Sequence, residues 1–247
     1  MCTVTFIARR NGYALGMNRD EMLARVKALP PARSLIHGRF AIYPSEPSGG
    51  TWIGVNDAGV TFALINWYSV PAKLAGPPIS RGEVVKLALQ CHSAPFVHTQ
   101  LAEFPLKLIN PFRLIGVFPT SRKVVEWRWN LRALERIDHA WETNTWISSG
   151  FDEAGAQQTR GKIFSEALRR PAAGSVNWLR RLHRSHAPER GAYSHCMHRD
   201  EAATMSYTEV IVSEAAATMR YTPGAPCCGG PASGFRLELT GYMDADK

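Results

Sequence analysis

The opening of the chain sets its pattern. Thr3 to Ile7 is β-branched or aromatic at every position, Asn11-Gly12 supplies a turn, and Tyr13 to Met17 returns. An antiparallel hairpin is therefore expected over 3–8 and 13–17. Trp52 to Asn56 and Val60 to Asn66 repeat the pattern around Asp57-Ala58-Gly59. Pro, Gly and Ser between Ser69 and Pro78 read as a loop. Ser80, with Glu83 three residues later, has the form of a capping box for a helix through Gln90, and Ser93 is placed to cap another. Strands are expected at 112–118, 123–129 and 144–148, and helices at 152–170 and 175–186. Further strands follow at 192–198, 205–213, 216–222 and 235–240. Antiparallel strands with helices grouped between them suit an α+β class, two stacked sheets flanked by helices. With no internal repeat and no linker, residues 1–247 are read as a single domain.

Composition bounds this picture. A chain of 247 residues, 45% hydrophobic, can bury a large core as one domain. No stretch approaches the ~20 apolar residues of a membrane span. No charged segment precedes an apolar one at the N-terminus, so no secretory leader is expected. Five cysteines, an odd count, then favour reduced thiols in the cytoplasm over a disulfide framework. The net charge of +8 is concentrated between Arg160 and Arg190, where basic residues alternate with Ile163, Phe164, Leu168, Trp178, Leu179 and Leu182. That segment reads as amphipathic surface helices with solvated faces. No nucleic-acid motif accompanies it, so no nucleic-acid partner is expected. The sequence is compatible with an oligomer and does not set its state.

Chemistry enters at Cys2. Methionine aminopeptidase removes Met1 when the second residue is small. Cys2 would then carry a thiol and a free α-amine, a nucleophile with its own base. An α-amine has a pKa of roughly 7.7–8.0 and takes a proton near neutrality. The hairpin brings Asn18, Arg19 and Asp20 beside Cys2. A cation there lowers a thiol pKa, and a carboxylate holds an ammonium in place. The plain alternative is a small apolar residue that starts a strand.

The runs MCTVTFI, GMNRDE and GGTWIGVNDAGVTFALIN, in that order, resemble the NRDE family, also called the transport-and-Golgi-organisation family. TWISSG, CMHRDEAATMSYTEVIV and MRYTPGAPC extend the resemblance towards the C-terminus. That family is similar to the cysteine N-terminal-nucleophile (Ntn) hydrolases, which include choloylglycine hydrolases and acid ceramidase. The resemblance implies a four-layer αββα sandwich and attack by Cys2 on a linear, non-peptide amide. Asp20 matches the aspartate that holds the cysteine, and Asn66 matches the asparagine that binds the oxyanion. Met17 stands where those hydrolases have an arginine. Arg19, two residues on and so on the same strand face, is the candidate substitute. Ser149 aligns with a second active-site asparagine, and Arg199 stands in for a C-terminal arginine. Asn18, Trp52 and Trp67 are candidate ligand-binding residues.

Cys196-Met197-His198 and Cys227-Cys228 contain soft metal ligands, but without the paired spacing of a zinc ribbon or finger. No metal site is expected, and His183, His186 and His195 read as surface or satisfied core histidines. Gly49-Gly50-Thr51-Trp52 lacks the Gly-Lys-[Ser/Thr] ending of a phosphate loop. Two functions follow from the resemblance. One is an amidohydrolase that needs no cofactor. The other is a carrier on the same fold for an anionic hydrophobic ligand, an acylated metabolite or non-covalent haem. Cys196 and His198 are the candidate haem ligands, since no Cys-x-x-Cys-His attachment motif is present.

Overall fold

The computed structural model describes residues 2–240. The chain opens with the expected hairpin, β1 (Cys2–Ala8) and β2 (Tyr13–Met22). Gly12 makes its turn possible. Its φ is +93°, and a Cβ there would lie 1.9 Å from the Val212 carbonyl oxygen. Then come β3 (Leu29–Ile36), β4 (Arg39–Ser45), β5 (Ile53–Asn56) and β6 (Thr61–Asn66). Helices α1 (Gly82–Leu89) and α2 (Ala94–Glu103) lead into β7 (Phe112–Phe118), β8 (Lys123–Trp129), β9 (Leu134–His139) and β10 (Asn144–Ser148). Helices α3 (Glu153–Leu168) and α4 (Val176–Arg184) precede β11 (Ala202–Val212), β12 (Ala216–Pro223) and β13 (Ser233–Glu238).

The strands form two antiparallel sheets. One has the order β10-β1-β2-β11-β12-β13 and the other runs β3 to β9 in sequence. The inner faces pack together through Val4, Phe6, Leu15 and Met17 of the first sheet and Ile53, Val55, Ile65 and Ile115 of the second. Tyr13 bridges them, its hydroxyl 2.7 Å from the Gly59 carbonyl oxygen and 2.6 Å from Thr61 Oγ1. Helices α1 and α2 cover the outer face of the second sheet, where Val84, Val85 and Leu89 meet Phe62 and Leu114. Helices α3 and α4 cover the first, with Phe164, Trp178 and Leu179 on Ile7 and Ala14. The result is the expected αββα sandwich.

Several local readings change. Segment 192–198 is irregular and makes one isolated bridge, His198 to Ala203. Backbone bonds within the loop hold it instead, from the Cys196 nitrogen to the Ser185 carbonyl and from the His198 nitrogen to the Gly191 carbonyl. Strands β3, β4 and β9 escaped the pattern reading. Strand β3 contains Pro30 and Pro31 and β9 alternates in charge; both lie at sheet edges, where such residues are tolerated. The capping box does not close. The residue before α1 is Arg81, with helical dihedrals, and Ser80 Oγ accepts from the Gly82 nitrogen instead. A Cβ on Gly82 would lie 2.5 Å from the Thr51 nitrogen, so the helix start presses on the 49–51 turn. Asp152 and Ser175 do cap α3 and α4, accepting from the nitrogens of Gly155 and Trp178. The basic segment presents Lys162, Arg169, Arg170, Arg181 and Arg184 to solvent as expected, but Arg160 departs from that reading, for its side chain is fully buried. Among the described residues, no helix is long and apolar enough to cross a membrane.

Candidate active site

Cys2 is buried at the first position of β1, opposite Arg19 on β2 and Ser148 on β10. Residues directly opposite in an antiparallel ladder share a face. Cys2 and Arg19 therefore both project between the sheets. They line a cavity of about 330 Å³ with Trp52, Leu64, Asn66 and Arg81. Burial pushes the Cys2 thiol above its ordinary value, and the Asp20 charge adds to this. The Arg19 cation and the Asp20 backbone N–H, which hydrogen-bonds the sulfur, work the other way. The expected lowering by a neighbouring cation is thus outweighed by desolvation.

Arg19 is tied down at the cavity mouth. It donates to Glu46 at 2.7 Å, and its guanidinium carbon lies 4.5 Å from the centre of the Trp52 ring. Arg25 joins Glu21 and Glu46 to complete a charged rim. Asp20 borders the cavity, with its carboxylate bound by Thr204 Oγ1 at 2.6 Å and Arg160 Nη1 at 3.3 Å. Arg160 also donates to Thr3 Oγ1 at 2.7 Å and to the Ala192 carbonyl at 3.2 Å. Asn18 does not reach the cavity. The strand turns it to the opposite face, where Nδ2 donates to the carbonyls of His183 and His195.

Asn66 lines the Cys2 cavity, its Nδ2 donating to the Tyr68 hydroxyl at 2.8 Å. Ser149, by contrast, lies in an adjoining cavity of about 590 Å³ with Trp67, Tyr68 and Phe151. Its hydroxyl accepts from the nitrogens of Phe151 and Asp152 in the turn before α3. The serine that meets Cys2 is Ser148, whose Oγ accepts from the Cys2 nitrogen at 3.1 Å. Arg199 lines neither cavity; it pairs with Glu201 and stacks on Phe151, 4.4 Å from the ring centre. The cation shared by both cavities is Arg81, which donates to the Pro111 carbonyl. Burial disfavours its charge and lowers its pKa from the ordinary value. Sequence spacing held no signal for Ser148, Arg81 or Arg160. Each reaches the site through tertiary contact.

Cys196 and His198 line neither cavity. They meet His186 and Cys227, and the four ligand atoms all lie within 4.8 Å of one another. The reading of His186 as an isolated histidine changes here, since it joins three other donor side chains. The loop brings together donors that the spacing left apart.

Two antiparallel sheets between helical layers, with a cysteine at the head of β1, define the fold of the cysteine Ntn hydrolases. Solved structures with this fold resemble the chain over nearly its whole length. A mutant of the conjugated bile acid hydrolase from Clostridium perfringens is 10% identical, with a TM-score of 0.52 and 100% of each chain covered. Penicillin V acylase from Agrobacterium tumefaciens is 11% identical, with a TM-score of 0.54, covering 97% of this chain and 86% of that one. Residues 1–153, more than half of the sequence, match the family described as Transport and Golgi organisation 2, and the chain belongs to that family. No curated protein sequence matches it.

Proposed function

We propose that the protein is a cysteine amidohydrolase acting on a linear, non-peptide amide, with Cys2 as nucleophile once Met1 is removed. The observation that carries this reading is the convergence of Cys2, Asn66 and Arg81 on one cavity, with the Cys2 nitrogen held by Ser148. A thiol raised by burial stays protonated at neutral pH, so attack needs a base. The α-amine of the same residue takes that proton, and the sulfur adds to the carbonyl carbon. In this reading Asn66 and a backbone N–H stabilise the oxyanion. The tetrahedral intermediate collapses to a thioester as the amine leaves with the proton. Water, deprotonated by the α-amine, then hydrolyses the thioester and restores the thiol. Asp20, negative and adjacent, favours the ammonium between these steps. Arg81, between the two cavities, suits a substrate with an anionic group beyond the scissile amide.

A second reading keeps the fold without the chemistry. The two adjoining cavities share Arg81 and Asn110, which fits carriage of a long or flat anion such as haem or an acylated metabolite. Intact mass, followed by incubation with a panel of acyl amides, separates the two. The hydrolase reading expects a protein lacking Met1 and an acyl adduct on Cys2. It further expects turnover abolished by Cys2→Ala and reduced about 100- to 1000-fold by Asn66→Ala. Full activity with Met1 retained would sink the N-terminal mechanism. Haem binding followed by its absorption band, unchanged in Cys2→Ala and without amide turnover, would favour the carrier.

A further inference from the structure

We propose that His186, Cys196, His198 and Cys227 form a tetrahedral site for a divalent transition-metal ion, with zinc the best match. The site is independent of the hydrolase reading. Its donors come from three places: the segment after α4, the loop leading into β11, and the short helical turn Pro226–Cys228 that follows β12.

Distances fit an ion. His198 Nε2 lies 3.5 Å from Cys196 Sγ and 3.4 Å from Cys227 Sγ. Zinc bonds of about 2.3 Å to sulfur and 2.0–2.1 Å to nitrogen, at a tetrahedral angle, place S and N about 3.5 Å apart. The His186 ring centre is 5.1 Å from that of His198 at 69°, and His186 Nε2 is buried without a hydrogen-bond partner among the described residues. Two thiolates and two imidazoles select zinc among the common divalent ions. Haem fits less well. Its ring nitrogens fill the equatorial positions and leave at most two axial places on opposite faces, whereas four converging donors enclose a bare ion.

The backbone holds the donors in place. Met197 is pinned on both sides by Thr204: its nitrogen donates to Thr204 Oγ1 at 2.8 Å and its carbonyl accepts from the Thr204 nitrogen at 2.9 Å. Met197 is fully buried, while Cys196 and His198 on either side turn to the common point. The Cys196 nitrogen donates to the Ser185 carbonyl at 3.0 Å, which closes the loop back beside His186. Segment 185–201 has no helix or strand of its own. A segment of that length normally needs a staple or a function. An ion would join it to the turn after β12.

Arg190 opposes the ion in one respect. It donates to His198 Nδ1 at 3.3 Å, so the ring carries its proton on Nε2, aimed at the two sulfurs. Metal binding at Nε2 requires the other tautomer: the ring's single proton moves to Nδ1, and the exposed Arg190 must release that nitrogen. Removing the arginine should therefore tighten binding.

Co²⁺ titration of the reduced full-length protein tests the site. The expected result is one Co²⁺ per chain, with a thiolate-to-cobalt charge-transfer band and tetrahedral d–d bands, both lost on adding Zn²⁺. Cys196→Ser and Cys227→Ser should each weaken binding at least about 100-fold. Cys228→Ser should not, since that exposed thiol lies outside the four, and Arg190→Gln should strengthen it. Because the ligand variants can also fail to fold, alkylation of the wild type provides a second readout. Zn²⁺ should protect Cys196 and Cys227 but leave Cys228 reactive. Absence of a charge-transfer band, octahedral cobalt spectra, or equal protection of all three thiols would overturn the proposal.

Discussion

Ser148 Oγ accepts a hydrogen bond from the backbone nitrogen of Cys2 at 3.1 Å, across the ladder that pairs β1 with β10. The alignment with the Ntn hydrolases points one residue further, to Ser149. A single residue is enough to change the partner, because consecutive positions on and beyond a strand face different ways. Ser149 serves the turn into α3 instead.

In the processed protein the Cys2 nitrogen is the α-amine. An acceptor on it stabilises the ammonium form, by about 1.5–3 kcal/mol for a charged donor. Ser148→Ala should therefore lower the amine pKa by roughly 1–2 units, at about 1.4 kcal/mol per unit. The acidic limb of the kcat/KM profile would move to lower pH by that amount. Ser149→Ala should leave the limb in place. Identical profiles for both variants would remove Ser148 from the amine.

Arg81 borders both cavities. Replacing it with Met should weaken kcat/KM for anionic amides by about 10- to 100-fold, from one lost charge-assisted bond of roughly 1.5–3 kcal/mol. Neutral amides of the same length should change little. Comparing the two substrate series in one variant checks this, and an equal loss for both would show that Arg81 acts on the fold rather than on the ligand.

Arg160 and Asp20 form an ion pair in which both side chains are fully buried. Arg160→Met removes the cation from Asp20 and the donors from Thr3 and Ala192. Breaking a buried pair in this way costs about 3–5 kcal/mol. Arg160→Lys should recover only part of it, since one ammonium cannot span three acceptors in different directions. Urea denaturation of the three proteins gives the order directly.

His183 is buried against Thr5, and burial, followed by the charge of Arg160, lowers its pKa to about 3. Unfolded histidine titrates near 6.5. Between those values the unfolded chain binds a proton that the folded chain refuses, so stability falls as pH drops below about 6.5. The slope approaches 1.4 kcal/mol per pH unit for this group and ends near its folded pKa. His195, lowered well below its ordinary value by burial and by its neighbours His183 and Arg160, acts in the same sense. Unfolding free energies at pH 7, 6 and 5 should show the decline, and His183→Gln should reduce the slope whatever it does to the value at pH 7.

The sequence by itself determined the elements whose causes are local. The opening hairpin follows from a β-branched run and Asn11-Gly12, and β7, β8 and β10 from short apolar runs between turns. The motif order also placed Cys2, Arg19 and Asn66 in one cavity. Strands β3 and β9 were illegible because edge strands need not carry an apolar period. Only the tertiary structure decided which residues surround Cys2 and which do not. Ser148 arrives through the β1–β10 register, Arg81 through the contact of α1 with the 49–51 turn, and Arg160 through the packing of α3 on the first sheet. Asn18, Ser149 and Arg199 leave the cavity for the same reason. Their directions depend on neighbours far away in the chain. His186, Cys196, His198 and Cys227 meet because a loop and a turn close over one point in space, and linear spacing carries no trace of that closure.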